Sequence, residues 1–441
     1  MPKTHDAPDF EWNNWKSGKL PELADHSEKK LELLRDYLVL YLKIVLANAQ
    51  GKEIQQVTLI DGFAGGGIYQ SKKAGSPLVI LKAVQEAEAL INLTREKPIK
   101  IVPVCYFIER DENAFACLEY ALKEAGFSAC LGKTVHLRRE SFEASLPEIL
   151  NDIKKRHSRG GNRTIFFLDQ CGYTEVPVRL IKEIDQQLEG RAEFIINFSV
   201  TWLSDFFSGA TVKQFTKTFE NLGISEHVNV DNLLHQRQAL GGNWRHPVES
   251  HIGLAYHHAT GIKFFSPFYI EPHDNHRGYW LLHLAQNQRA RAAMTQIHWS
   301  KANRSKHYGP RGYGILSYKP DLEQTVYLEG MSFNEESRKI CKAQLKNDYA
   351  KMVREKFQNG ILYSELADST CNETIADEEM LNEVLWDLFS VNEIEVKSPS
   401  GLDKRSLSFS DNDLITPKKQ LIFPFLGQAA KPSRKKTSEH S

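Results

Sequence analysis

Three carboxylates, each at the end of an apolar run, are the residues best placed to do chemistry in this sequence. Asp61 closes "VTLID", Glu109 closes "VPVCYFIE" and Asp169 closes "TIFFLD". Asp61 leads into a glycine-dense turn, Gly62-Phe63-Ala64-Gly65-Gly66-Gly67. Glycines after a strand let the backbone approach a ligand closely and open a helix whose N-terminus favours polar or negative groups. The turn lacks the Gly-Lys-Ser/Thr of a phosphate loop, and its glycines do not complete a dinucleotide GxGxxG. What remains is D-x-F-x-G-x-G, facing a nucleotide-like ligand, although such turns also arise for structural reasons. Glu109, followed by Arg110, stands where an acidic side chain can accept both hydroxyls of a ribose. Ser141 and Phe142 follow the third strand, where such folds meet an adenine ring; Phe142 reads equally well as core. Asp169 sits at the carboxyl end of a central strand, in the crevice where doubly wound sheets bind ligands, although an Asp there also reads as a helix N-cap. The turn after it, Gln170-Cys171-Gly172-Tyr173, adds an amide, a thiol and a phenol.

These residues need a frame that brings three strand ends to one rim. Short β-rich runs alternate with helical stretches from Gln56 onward, the pattern of a parallel sheet with crossover helices. The expected strands are Gln56–Asp61, Ile101–Glu109, Thr134–Arg139, Thr164–Asp169 and Glu193–Phe198, followed by Phe264–Ile270 and Tyr279–Ala285. The last two are joined by only Glu271 to Gly278, short enough for an antiparallel hairpin. A reversed pair closing a parallel sheet is how class I methyltransferases end their seven strands, whereas a dinucleotide fold would continue with another crossover helix. An amphipathic helix, His26 to Ala49, precedes the sheet and is expected to pack on its side. Residues 201–263 change to helices and polar loops, a helical insertion within a Rossmann-like domain spanning 51–327. Beyond it, Glu335–Phe357, Ile361–Ala367, Asp377–Phe389 and "NEIEVKSPSGLDKRSLSFS" give helix, helix, helix and β-ribbon, the order of a winged helix, placed at 328–428. Residues 429–441 read as a basic disordered tail.

Other candidates carry less chemistry. Cys171 could serve as the nucleophile of 5-methylcytosine formation, but no proline precedes it and no nearby residue would lower its pKa. The histidines of the insertion, including His227, His251, His257 and His258, match no metal-ligand spacing, so no metal is expected. "HWSKANRSKHYGPRGYG" combines Lys301, Arg304, Lys306 and Arg311 with Trp299, Tyr308 and Tyr313: cations for phosphates and rings for bases, or equally a solvated linker. A recognition helix at Met380–Phe389 would lie in a major groove, yet it starts with Asp377, Glu378 and Glu379, which suits a protein contact as well.

The 441 residues allow two or three domains with a large core. With 41% hydrophobic and 25% charged residues, a formal net charge of zero, six dispersed cysteines and no long apolar window, a cytoplasmic globular protein is expected, neither membrane-bound nor disulfide-stapled. Attraction to nucleic acid must then come from local patches.

The pieces "IDGFAGGG", "GSPLVIL", "FIERD", "FFLDQCGY", "INFSVTWL" and "YWLLHLAQN", with the N-terminal helix carrying His26 and Lys30, resemble the three-Cys-motif partner protein family, which is related to class I S-adenosylmethionine-dependent methyltransferases. The resemblance spans roughly residues 10 to 300. It implies bound S-adenosylmethionine, held by Asp61 through Gly67, Glu109, Arg110, Ser141 and Phe142. It also implies a partner protein encoded nearby and a role in bacterial defence. The family's fourth motif usually reads Asp-Pro-x-Gly; here Gln170 replaces the proline. Amino-methyltransferases of nucleic acid use a (D/N/S)PP(Y/F) turn to hold an exocyclic amine, and "DQCGY" keeps its acid and its aromatic. The expected assignment is therefore Asp169 and Gln170 on the amine with Tyr173 stacking on the substrate ring. A scaffold that has lost catalysis is the alternative.

Overall fold

A computed structural model describes residues 12–47, 53–157, 163–170, 174–198, 212–240, 245–270, 279–300, 305–307, 331–402 and 408–418. Strands β1 (Ile54–Asp61), β2 (Lys100–Ile108), β3 (Val135–Arg138), β4 (Thr164–Leu168), β5 (Ala192–Phe198), β6 (Phe264–Ile270) and β7 (Tyr279–Ala285) form the body of the sheet. Two short strands extend its edge, β8 (Ser305–His307) and β9 (Met331–Ser332). Among the described residues the order is β3-β2-β1-β4-β5-β7-β6-β8-β9. The first five strands are parallel, and β7 runs antiparallel to both β5 and β6. This is the class I methyltransferase arrangement, lengthened by the two edge strands.

Both faces of the sheet are buried, so its central strands are mostly apolar, and every residue of β4 and of β5 is buried, Glu193 and Asn197 of β5 included. Helices α1 (Asp25–Ala47), α2 (Ser76–Asn92) and α3 (Glu112–Glu124) bury apolar faces in one core with Val57, Leu59 and Phe107. Helices α4 (Phe142–His157) and α5 (Val178–Gln187) close the other face around Ile60, Phe166, Phe194 and Ile196. The insertion is helical, as α6 (Val212–Leu222), α7 (Val230–Leu240) and α8 (Arg245–Thr260), and its Phe219, Leu233 and Tyr256 join that second core. Among the described residues no helix is long and apolar enough to cross a membrane.

Helix α9 (Gln288–Ser300) leads out of the sheet, and α10 (Glu335–Glu355), β10 (Ile361–Leu362), α11 (Tyr363–Thr370), α12 (Glu378–Ser390), β11 (Ile394–Lys397) and β12 (Leu414–Pro417) build the winged helix. Its small sheet has the order β10-β12-β11. Asn334 and Asp377 accept backbone N–H bonds at the starts of α10 and α12, which fixes where each helix begins.

The winged helix is docked on the sheet. Asn372 behaves as an extra strand residue on the β6 edge, accepting from Phe265 N at 3.0 Å and donating to Lys263 O at 2.7 Å. From α9, Arg291 donates to the carbonyls of Thr374 and Ala376, and the Trp299 indole donates to Ile375 O at 2.7 Å.

Candidate functional site

The switch in strand order falls between β1 and β4, so the loops leaving these strands splay apart and open a crevice at their carboxyl ends. Asp61 pairs in register with Phe167, which brings Asp61 and Asp169 to the two sides of that crevice. Glu109 follows β2 on the same rim.

Asp61 is fully buried, and burial pushes its carboxyl up to about 7 against the pull of Ser76 and the Phe63 N–H. One oxygen accepts from Phe63 N at 3.2 Å, while Oδ2 has no hydrogen-bond partner among the described residues. Glu109 ties the second strand to the glycine turn. Its Oε2 accepts from Gly65 N at 2.9 Å and its Oε1 from Asp111 N at 2.7 Å, with burial raising its pKa. Each of these oxygens keeps a lone pair for a further donor such as a ribose hydroxyl.

The turn requires its glycines. Gly65 and Gly67 have φ of +59° and +72°, in the left-handed region, and a Cβ on Gly66 would overlap the Trp12 ring. Trp12, on the 3-10 turn Trp12–Ser17, thus closes one side of the loop, an arrangement with no local signal in the sequence. Gly62 is equally constrained, since a Cβ there would press into Leu168 and Phe142. Ala64 is buried, and its N–H donates to Ile108 O at 2.9 Å, stitching the turn to β2.

Asp169 is held from both sides. Lys30, buried in α1, donates to its two oxygens at 2.6 and 2.9 Å, and Asn197 at the end of β5 donates to Oδ1 at 2.7 Å. The Lys30 ammonium also lies 5.4 Å from the centroid of the Tyr279 ring. Asn197 is itself buried, and its Oδ1 has no partner among the described residues. The carboxylate bond fixes its amide orientation, so this oxygen is an acceptor without a donor. Asn197 lies in the quoted piece "INFSVTWL", but its role depends on β5 lying beside β4.

Gln170 braces the following loop. Its Oε1 accepts from Glu175 N and Val176 N at 3.0 and 3.1 Å, and its Nε2 is buried with no partner among the described residues. Its carbonyl is therefore committed, and only the amide N–H remains for a substrate. Tyr173 and Cys171 lie outside the described residues. Phe142 is buried between Phe63, at 6.0 Å, and Phe166, at 6.4 Å, as core packing, while the Ser141 hydroxyl accepts from Ala144 N at 3.2 Å and caps α4. Arg110 is exposed and pairs with Glu175 at 3.3 Å, bridging the loops after β2 and β4.

Of the basic segment, Lys301, Arg304 and Arg311 lie outside the described residues, and Lys306 is placed by its backbone in β8. Trp299 is buried at the junction with the winged helix and is not an exposed stacking face. His257 stacks on Phe265 at 4.5 Å and bonds to Ile262 O, and burial lowers its pKa to about 4, the behaviour of a core histidine. The acids of α12 are paired with α10: Lys342 reaches Glu383 at 3.3 Å and Asp387 at 3.7 Å.

The crevice suits a nucleoside cofactor. Oxygens of Asp61 and Asn197 with no close partner among the described residues, the backbone of the glycine turn and the Glu109 carboxylate at the neighbouring strand end offer polar groups to hydroxyls and to a cationic group. Asp61 through Gly67 and Glu109 would hold it.

Residues 317–401 match the family of GMT-like wHTH domains, the part of the chain that forms most of the winged helix. No curated protein matches the chain in sequence. Similar solved structures include protein LPL1258 from Legionella pneumophila str. Philadelphia 1, of the family DUF519 (10% identity, TM-score 0.28, covering 58% of this chain and 84% of that one). The human methyltransferase 10 domain containing protein is another (8%, 0.24, 58% and 83%), as is TrmK of M. capricolum, solved with S-adenosylhomocysteine (11%, 0.23, 78% and 93%). At such scores these likenesses add nothing to the topology read directly from the strands. The fold and crevice define a methyltransferase-like α/β protein with a C-terminal winged helix.

Proposed function

We propose that the chain is an S-adenosylmethionine-dependent methyltransferase acting on an exocyclic amine of nucleic acid. The observation that carries this reading is the placement of Asp61, Glu109 and Asp169 on the carboxyl rim of one sheet, around its switch point, with Glu109 bonded to the glycine turn. Three carboxylates, of which the buried Lys30 partners Asp169 alone, suit a ligand that brings hydroxyls and positive charge. When bound, the cofactor would supply an electrophilic methyl group.

The chain's own residues would place the acceptor. Asp169, fixed by Lys30 and Asn197, accepts a hydrogen bond from the amine, and Gln170 Nε2 donates to the neighbouring ring nitrogen. Tyr173 stacks on the ring. Holding the amine in line is the larger part of the catalytic task. The family of GMT-like wHTH domains supports a contact module at the C-terminus; the acidic, lysine-paired surface of α12 favours a protein there. A partner protein and a defence role rest on the resemblance to the three-Cys-motif partner family.

Calorimetric titration and melting with S-adenosylmethionine test the reading. Ligand at about a hundred times its Kd stabilises the native state by roughly 2.7 kcal/mol, which a melt resolves. Saturable binding lost in Glu109→Ala, followed by label transfer to DNA or RNA, supports it; a folded protein that binds no cofactor sinks it.

The Lys30–Asp169 pair also favours a second reading, a catalytically inactive nucleotide-binding or scaffolding subunit, because both carboxylate oxygens are already occupied. Asp169→Ala discriminates: a scaffold keeps its biological effect, an enzyme loses turnover.

A further inference from the structure

Behind the sheet, away from the carboxyl rim, a cavity of about 550 Å3 lies between the start of α9, the end of α1 and the winged helix. It is roomy enough for a mononucleotide-sized ligand. Arg291 lines it and is 1% exposed. Two of its nitrogens donate to the Ala376 and Thr374 carbonyls, while Nε has no partner among the described residues.

Other cations on this wall have carboxylates close by. Arg163 lies 3.6 Å from Glu193, Lys263 lies 2.8 Å from Asp368 and Arg289 lies 3.4 Å from Asp411. Among the described residues Arg291 has no such counter-ion. Asp377 is near it electrostatically, but both oxygens of Asp377 are taken by Arg338, at 2.9 and 3.2 Å. The Tyr41 hydroxyl, 2% exposed on the same wall, makes no close hydrogen bond among the described residues and lies beside the Glu193 carboxylate and Arg163.

A buried guanidinium with an unused N–H and no anion is an expensive arrangement, and an oxyanion relieves both defects at once. The adjoining N-terminus of α9 adds favourable dipole. We propose that this cavity binds a small phosphate-bearing ligand, whose oxyanion sits on Arg291 and accepts from Tyr41. Because Arg291 also holds the Thr374–Ala376 segment, the ligand would tighten the winged helix on the sheet. The proposal does not depend on methyltransferase activity.

The test is calorimetric titration of the full chain with inorganic phosphate, AMP and adenosine, repeated on Tyr41→Phe, Arg291→Lys and Glu109→Ala. Phosphate and AMP are expected to bind saturably in Glu109→Ala as in wild type, and adenosine to show no binding in Glu109→Ala, where the crevice is impaired. Loss of one hydrogen bond to a charged group should weaken binding by about tenfold in Tyr41→Phe, a change that leaves Glu193 its bond from Tyr37, and by at least as much in Arg291→Lys. Glu109→Ala should leave it unchanged, which separates this cavity from the crevice. AMP binding more tightly than phosphate assigns the cavity to a nucleotide; equal affinity assigns it to the phosphate group alone. No saturable binding at millimolar ligand, or binding equal to wild type in both cavity variants, overturns the proposal. Should Arg291→Lys fail to fold, Tyr41→Phe decides.

Discussion

Lys30 and Asp169 are 139 positions apart in sequence, yet the lysine Nζ lies 2.6 and 2.9 Å from the two oxygens of the carboxylate. The pair is asymmetric: the Lys30 side chain is 5% exposed and that of Asp169 24%. Helix α1 thus completes a site whose carboxylates, with Asn197, come from strand ends.

Removing the lysine leaves a partly buried carboxylate without its counter-charge. Lys30→Met should lower stability by roughly 2 kcal/mol, less than the 3–5 of a fully buried pair because Asp169 retains solvent contact. A double-mutant cycle with Asp169→Asn, read by urea unfolding, should give a coupling of at least about 1 kcal/mol. Strict additivity would mean that the two groups do not interact in solution.

The glycine turn predicts a steric clash that a second substitution relieves. Gly66→Ala should push Trp12 off the loop, red-shifting its fluorescence and lowering Tm by several degrees, an effect of about 1–3 kcal/mol. In Trp12→Leu the same Gly66→Ala change should cost less. An equal cost in both backgrounds would show that Trp12 does not pack there.

Protonation of Asp61 makes stability depend on pH in an unusual direction. Its folded pKa, about 7, lies above its unfolded value, so between about pH 4 and 7 the native state holds a proton that the unfolded chain has released. Stability from this group is therefore full at low pH and is lost as pH rises, by roughly 1.4 kcal/mol per unit. His257, lowered to about 4, and His283, lowered to about 3, act oppositely, costing stability as pH falls below about 6.5. Asp61→Asn should flatten the decline toward pH 7 while leaving the acid side unchanged. Parallel curves for wild type and variant would refute the assignment.

Among the contacts that dock the winged helix is one side chain that imitates a strand. Asn372→Ala removes both of its bonds to β6 and should cost about 1–3 kcal/mol. Limited proteolysis should then release the C-terminal unit faster than from wild type. Unchanged release would place the docking energy in Arg291 and Trp299 instead.

Much of this fold can be read locally. The expected strands ending in Asp61, Glu109 and Asp169 have limits within two residues of those observed, because a strand buried on both faces needs a largely apolar sequence. The short link after Ile270 forced the antiparallel β6–β7 pair by simple reach. The order of helices and ribbon after Phe333 was visible for a similarly local reason, in residue propensity. The short strands β8 and β9 were not, since three and two residues carry no periodicity and are held only by backbone bonds to their neighbours.

What the sequence determined by itself is therefore the set of elements, their order and the identity of the acids at their ends. Only tertiary structure decided that Lys30 would meet Asp169, that Asn197 would share that carboxylate, that Gln170 would brace a loop and that Trp12 would close the glycine turn. Burial patterns are written in neighbouring residues, whereas the partner of a polar group is chosen by which distant segments the sheet brings within about 3 Å, a distance set by chain closure and packing.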